Sequence, residues 1–190
     1  LKRRFSYPVY TQIKGAELYG HKTTGKYSRQ EFHDHPDLYI CRFLPYSAQT
    51  DILMNGIYWE KNYPRLFEKK DAKDGNFIIQ TIADITDDAD GSVPINVGDQ
   101  TIEDPVYGID KSTLEKTAPY LQNSIDIMAV GNLPNELPRD ASRYFGEQLI
   151  KHVLEDLTGD SSAIIERATI TKSGKLTKHF EYLKDYAEGK

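Results

Sequence analysis

Short apolar runs that stop at Gly, Asp or Asn alternate along this chain with stretches of helical periodicity. Residues 50–59 (T-D-I-L-M-N-G-I-Y-W) are apolar at neighbouring positions, and Asn55-Gly56 falls where a strand would end. A run apolar on both faces predicts a central strand. Pro64 fits the first turn of a helix through Arg65-Leu66-Phe67-Glu68. Asp74-Gly75 breaks the chain before a second strand over 76–83, built on Phe77-Ile78-Ile79. Residues 91–123, punctuated by Pro94, Pro105 and Pro119, read as loop with an amphipathic scrap around Leu114. A third strand, 124–130, carries Ile125, Ile127 and Val130 and runs into the turn Gly131-Asn132-Leu133-Pro134. Pro138 then opens the best helix in the chain. Ala141, Phe145, Leu149, Val153 and Leu157 recur at four-residue steps with Ile150 and Leu154 alongside, giving one apolar face, and Gly159 closes it. A last helix is predicted over 176–186, with Phe180 and Leu183 on its buried side. Residues 1–27 lack periodicity, and Gly15, Gly20 and Gly25 read as turns. Ser28 is an N-cap for a short helix through Phe32, which Pro36 ends.

Strands alternating with helices are the grammar of a parallel α/β sheet. The fold class expected is α/β, a partial Rossmann-like parallel sheet flanked by helices. It is partial because the first strand and glycine-rich phosphate turn of a Rossmann half are missing. The expected division is a partial nucleotide-binding domain at 1–137 and a helical segment at 138–190.

Charge makes one stretch stand out. Residues 82–92 read I-A-D-I-T-D-D-A-D-G-S, so Asp84, Asp87, Asp88 and Asp90 crowd the point where the second strand stops. Such density is costly unless a cation visits or the loop stays solvated. In open α/β sheets, ligands bind outside the carboxyl ends of the strands. Asp84, nearest the strand, suits a structural role as an acceptor of backbone N–H groups.

Composition narrows the partners. The net charge of −5 argues against nucleic acid and anionic membranes. No apolar run reaches the roughly 18 residues of a membrane span. Leu1-Lys2-Arg3-Arg4 is basic, but no signal core follows it. A chain that begins at Leu1 rather than Met is expected to be a piece of something longer. The single Cys41 excludes an internal disulfide, fits a reducing cytoplasm and has no neighbouring base to make it a nucleophile. His33 and His35 flank Asp34 but lack the further ligands of a metal site, so no metal is expected. His152 and His179 read as surface or boundary residues. Lys172-Ser173-Gly174-Lys175 lacks the upstream glycine and strand of a phosphate loop.

Four segments, in order, resemble one family. Asn55-Gly56-Ile57-Tyr58-Trp59-Glu60 with Pro64-Arg65-Leu66 looks like the mid-sheet strand of lysine–ketoglutarate reductases, also called saccharopine dehydrogenases (lysine-forming). These occur alone or as the reductase half of aminoadipic semialdehyde synthase. Asp84-Ile85-Thr86-Asp87-Asp88 with Gly91-Ser92 is similar to the family's D-[IV]-S-A-D segment. Asn132-Leu133-Pro134, Leu137-Pro138 and Ala141-Ser142 through Phe145 resemble its N-L-P-x-x-L-P-x-x-A-S-x-x-F turn and helix. Residues 168–180 are similar to its closing segment.

The resemblance implies the fold of alanine dehydrogenase, with C-terminal helices that return to an N-terminal domain missing here, which carries the acid–base groups. It implies reversible conversion of saccharopine to lysine and 2-oxoglutarate, with hydride passing to NAD or NADP. The partners implied are those small molecules and the remainder of the same polypeptide. Thr86, Asp87 and Asp88 would face substrate, with Asp88 favoured as an ammonium partner. Asp87 departs from the family's frequent alanine. Tyr58, Ile85, Val130, Gly131, Asn132 and Leu133 would border the dinucleotide. No catalytic acid or base is expected within this chain, and alone it is expected to be inactive. The alternatives are a non-catalytic binding or regulatory domain of the same fold, or a related amino-acid dehydrogenase acting on another imine.

Overall fold

The computed structural model describes residues 6–159 and 162–189. The basic tetrad at residues 1–4 lies outside them. The chain divides into two compact units, Leu1–Asn132 and Leu133–Lys190.

The first unit opens with α1 (Gly15–Leu18) and β1 (Tyr19–His21). These are followed by α2 (Arg29–Asp34) and β2 (Tyr39–Cys41), the latter pairing antiparallel with β1. These elements are only three to six residues long, too short to register as periodicity in sequence. Aromatic packing holds them instead. Phe32 stacks on Tyr19 at 4.4 Å and meets Tyr39 and Tyr63 edge-on at 5.3 and 4.8 Å. The Ser28 hydroxyl accepts from the Glu31 N–H, so it caps α2 as its residue type predicts.

A five-stranded sheet follows, in the order β3 (Ile52–Asn55), β4 (Thr81–Asp84), β7 (Ser124–Met128), β5 (Val106–Asp110), β6 (Lys116–Thr117). β3, β4 and β7 are parallel. β5 runs antiparallel to β7, and β6 antiparallel to β5. The sheet is α/β and Rossmann-like in its parallel part, but mixed rather than wholly parallel. The supposed loop at 91–123 contributes both antiparallel strands. Tyr107, Gly108 and Ile109 at the centre of β5 are buried between half-buried Val106 and Asp110, and the glycine between the two apolar side chains obscured the strand. The core closes on Ile82, Ile109, Ile125, Ile127, Val93 and Ile79, all fully buried.

Three expectations change. β3 is an edge strand among the described residues rather than central, and its Ile52 and Met54 are 64% and 71% exposed. No helix forms at 64–68. The Leu66 N–H donates to the Ser92 carbonyl (3.0 Å), which straps this segment to the acidic loop, and one 3-10 turn, Lys69–Lys73, follows. The second strand pairs only from Thr81; upstream, Ile78 and Gln80 donate to the Ser47 and Asp51 carbonyls.

In the second unit the long helix begins at Pro138 as expected but divides at Val153 into α3 (Pro138–His152) and α4 (Leu154–Thr158), because Val153 leaves the helical region. α5 (Ala163–Ala168) and the hairpin β8 (Thr171–Lys172) and β9 (Lys175–Leu176) come next. The last helix is a kinked 3-10 stretch, Lys178–Leu183, running into α6 (Lys184–Ala187). Among the described residues of this unit no side chain is buried.

Candidate functional site at the sheet rim

Parallel pairing puts the carboxyl ends of β3, β4 and β7 on one edge. Asn55 is the register partner of Asp84, and Ala83 of Met128. The loops that follow therefore share a rim.

Beneath that rim lies a buried polar network. Asp84, 1% exposed, is its hub. Asn55 Nδ2 donates to Asp84 Oδ1 at 2.8 Å, and Asn96 Nδ2 to Asp84 Oδ2 at 2.9 Å. The Asp87 N–H also reaches Oδ1, at 3.3 Å. Asn55 Nδ2 donates a second bond to Ser92 Oγ (2.8 Å), and the Tyr107 hydroxyl donates to Asn96 Oδ1 (2.8 Å) while accepting from the Val97 N–H. Residues from β3, β4, β5 and the long β4–β5 connection are thus fixed to one carboxylate. Both Asp84 oxygens are satisfied, while Asn55 Oδ1 is buried without a hydrogen-bond partner among the described residues; the bonds to Asp84 tie these segments into one loop arrangement. Sequence reading gave Asp84 a structural part but missed Asn55, Ser92, Asn96 and Tyr107 as members. The signal available for Asn55 was its place at a strand end; nothing local marked Asn96.

The acidic loop disposes of its four charges in four ways. Asp84 sits in its amide cage. Asp88 is exposed, with no ion-pair partner among the described residues. Asp90 is gripped by Arg65 and Lys69, which hold its carboxyl down at about 2. Asp87 adopts a left-handed backbone (φ 54°), and its Oδ2 is buried without a hydrogen-bond donor. Desolvation, then the neighbouring Asp99 carboxyl, pushes Asp87 up to about 6, against the opposing donation from Asn96. Gly131 lies beside this pair. A Cβ there would stand 3.3 Å from Asp99 Oδ1 and 3.4 Å from Asp87 Oδ2, so the β7 exit packs against both acids. Gly91 is required by close approach: a Cβ would meet Asp88 Cβ at 2.5 Å and the Asp88 carbonyl at 2.6 Å.

A raised native pKa has a defined sign. Asp87 binds its proton more tightly folded than unfolded, so its contribution is fully present below the ordinary value near 3.8 and fades as pH rises through about 6. Asp87→Asn keeps an acceptor for Asn96, supplies a donor toward Asp99 and tolerates the left-handed backbone. It is expected to stabilise the chain at pH 7.5 by about 1 kcal/mol after solvent screening, with the gain vanishing near pH 4. Urea midpoints across that pH range measure it; an equal midpoint change at both ends would overturn the assignment.

The other candidate residues fall as follows. Thr86 Oγ1 donates to the Ile57 carbonyl (2.6 Å), tying the β4 exit to the β3 exit. Tyr58 is 69% and Ile85 47% exposed, so neither is core; both offer apolar surface at adjacent strand ends. The Val130 side chain is buried, and its backbone bridges to Gln100. Asn132 is exposed with φ 51°. Leu133 opens the second unit. The rim therefore brings Asp87 to Gly131 and Thr86 to the loop bearing Tyr58. His33 lies in α2 and its Nδ1 pairs with the Tyr63 hydroxyl at 2.6 Å, while His35 lies beyond that helix. Among the described residues no His, Cys, Asp and Glu side chains gather as a metal site would need.

No protein-family model matches the chain. It is 31% identical to alpha-aminoadipic semialdehyde synthase, mitochondrial, of Rattus norvegicus, a match covering 89% of this chain and 21% of that protein. The alpha-aminoadipic semialdehyde synthase of Arabidopsis thaliana is 30% identical over 93% of this chain and 18% of its own length. A saccharopine dehydrogenase [NAD(+), L-lysine-forming] of Candida albicans is 30% identical over 64% of this chain and 30% of its own. The chain spans about a fifth of the length of the synthases it matches. It is a homologue, over about nine-tenths of its own length, of one segment of the alpha-aminoadipic semialdehyde synthases, the family its motifs resemble.

Proposed function

We propose that this chain forms one wall of a nicotinamide crevice in an enzyme that interconverts saccharopine with lysine and 2-oxoglutarate. The observation that carries the reading is the shared rim: Tyr58, Ile85, Asp88, Gly131 and Asn132 all follow the carboxyl ends of neighbouring parallel strands. In this reading Tyr58, Ile85, Val130, Gly131, Asn132 and Leu133 border the dinucleotide, NAD or NADP, and Thr86, Asp87 and Asp88 face the substrate.

The rim suits the nicotinamide end of such a cofactor. Exposed Tyr58 and Ile85 supply apolar surface for a planar ring. The Asp87–Asp99 pair beside Gly131 suits a ring that is cationic when oxidised and would repel a diphosphate. When bound, the nicotinamide accepts or delivers the hydride. The chain's own part is to orient and hold. The Thr86 hydroxyl fixes the loop, the Asp84 network keeps the rim rigid, and Asp88 offers an anion to a substrate ammonium.

The outer edge of β3, unpaired among the described residues, and its exposed Ile52 and Met54 support a role for further polypeptide, since an additional parallel strand would pair with that edge and its crossover helix would cover the sheet face. The apolar positions of α3, with Phe145 at 66% exposure, support the same reading for the second unit. A reducing compartment fits Cys41, whose thiol burial pushes up to about 11. The mammalian relatives are mitochondrial by name. No helix among the described residues is long and apolar enough to cross a membrane.

The test is saccharopine-dependent nucleotide reduction by the full-length polypeptide that carries this chain. Asp88→Asn in that protein is expected to raise KM for the amine substrate about tenfold or more, the loss of one charge-assisted contact, and to leave nucleotide KM unchanged. Equal weakening of both would sink the Asp88 assignment. Nucleotide binding without turnover would favour the non-catalytic reading, and turnover only with other amines or keto acids would favour a sibling dehydrogenase.

A further inference from the structure

A second feature of the same edge is cationic. Arg65, Lys69 and Lys70, with Glu68 and Asp90, line a depression of about 480 Å³. Three cations against two anions give it a positive balance in a chain whose net charge is −5. The cations are placed rather than scattered. The Arg65 guanidinium lies 5.8 Å over the Trp59 ring, and its side chain is 28% exposed. Arg65 Nη1 and Lys69 Nζ converge on one oxygen, Asp90 Oδ1, at 2.8 and 3.1 Å. Asp90 is itself held by its backbone, in a left-handed conformation with its N–H on the Asn96 carbonyl.

A guanidinium fork ordinarily meets a carboxylate through two parallel bonds. Here, among the described residues, Arg65 donates one side-chain bond, and Lys70 has no side-chain partner. Several N–H donors therefore remain around a carboxylate oxygen that already marks where an anion sits. The Leu66–Ser92 strap carries this cluster next to the loop that leaves β4.

The geometry points to an oxyanion-binding subsite at Arg65, Lys69 and Lys70, in which Asp90 is the resident counter-ion and the ligand group is a phosphate or carboxylate. This inference stands on the cluster alone and does not require saccharopine chemistry. Asp90 orders the two cations in the absence of ligand and weakens the site by its own charge. Its removal is therefore expected to tighten anion binding, the opposite of what a purely structural ion pair predicts.

The experiment titrates the 190-residue chain with inorganic phosphate, and separately with 2-oxoglutarate, following backbone amide shifts of residues 65–70 and 90 by heteronuclear NMR. Saturable shifts at about millimolar ligand are expected. Asp90→Asn is expected to bind about threefold more tightly, and the double variant Lys69→Met/Lys70→Met about threefold or more weakly. Neither variant alters a buried residue, and unchanged far-UV circular dichroism confirms folding. Tighter binding of 2-oxoglutarate assigns the site to carboxylate ligands; tighter binding of phosphate assigns it to phosphate-bearing ones. No saturation with either probe, or no gain in Asp90→Asn, overturns the proposal. The readout is binding, so its failure is separate from any failure of turnover in the full-length protein.

Discussion

Asp84→Ala is expected to destabilise the first unit by about 3–4 kcal/mol, the largest stability loss of any single polar substitution at the rim. The carboxylate accepts from Asn55 Nδ2, Asn96 Nδ2 and the Asp87 N–H, and all of it is buried. Alanine removes three acceptor contacts at once and leaves two amide groups short of partners in a low-dielectric interior, each costing about 1–3 kcal/mol. The isosteric Asp84→Asn is not expected to rescue it. Asn55 and Asn96 both present NH₂ groups to opposite oxygens, and an asparagine has one acceptor oxygen where two are needed. One side would then set donor against donor. Urea unfolding should show both variants with lowered midpoints and an unchanged slope. If Asp84→Asn were as stable as the parent chain, the two-acceptor account would be wrong.

On the proposed reading, in which this chain is one segment of a longer enzyme, the largest effect on activity is expected between the chain alone and that longer polypeptide. If the acid–base groups lie outside these residues, the isolated chain lacks the proton transfers of imine formation and breakdown. Their loss alone costs about 10²- to 10⁴-fold. Losing the opposite wall of the crevice removes substrate positioning as well, a comparable or larger factor. Saccharopine-dependent nucleotide reduction by the 190-residue chain should therefore fall below detection under conditions where the longer protein turns over readily. Supplying the remaining polypeptide in trans should restore part of it. Robust turnover by the chain alone would place the acid and base within these residues and overturn the division of labour.

The acidic stretch shows how a pattern can be right about place and silent about arrangement. Four aspartates at a strand end announce an edge where charge must be managed, and the resemblance attaches that edge to a substrate. Sequence spacing does not reveal that Asp84 turns inward, that Asp87 meets Asp99 beside Gly131, or that Asp90 is held by Arg65 and Lys69. Asp99 and Arg65 are 12 and 25 residues away from their partners, and only chain folding brings such pairs together. The edge position of β3 has the same origin. Ile52 and Met54 read as interior because they are apolar, and whether an apolar residue is covered depends on which strands lie beside it.

The chain's own order of residues determined the three parallel strands, the capped start of α2, the proline-led start of α3 and the family resemblance, because each rests on local periodicity, turn chemistry or short contiguous motifs. Tertiary structure alone decided the antiparallel β5 and β6, the loss of the helix after Pro64, the break at Val153 and the hub at Asp84. Those features are set by hydrogen-bond partners distant in sequence or by backbone geometry that side-chain periodicity does not carry. Local preferences of under about 1 kcal/mol per residue yield to such contacts once the core is closed.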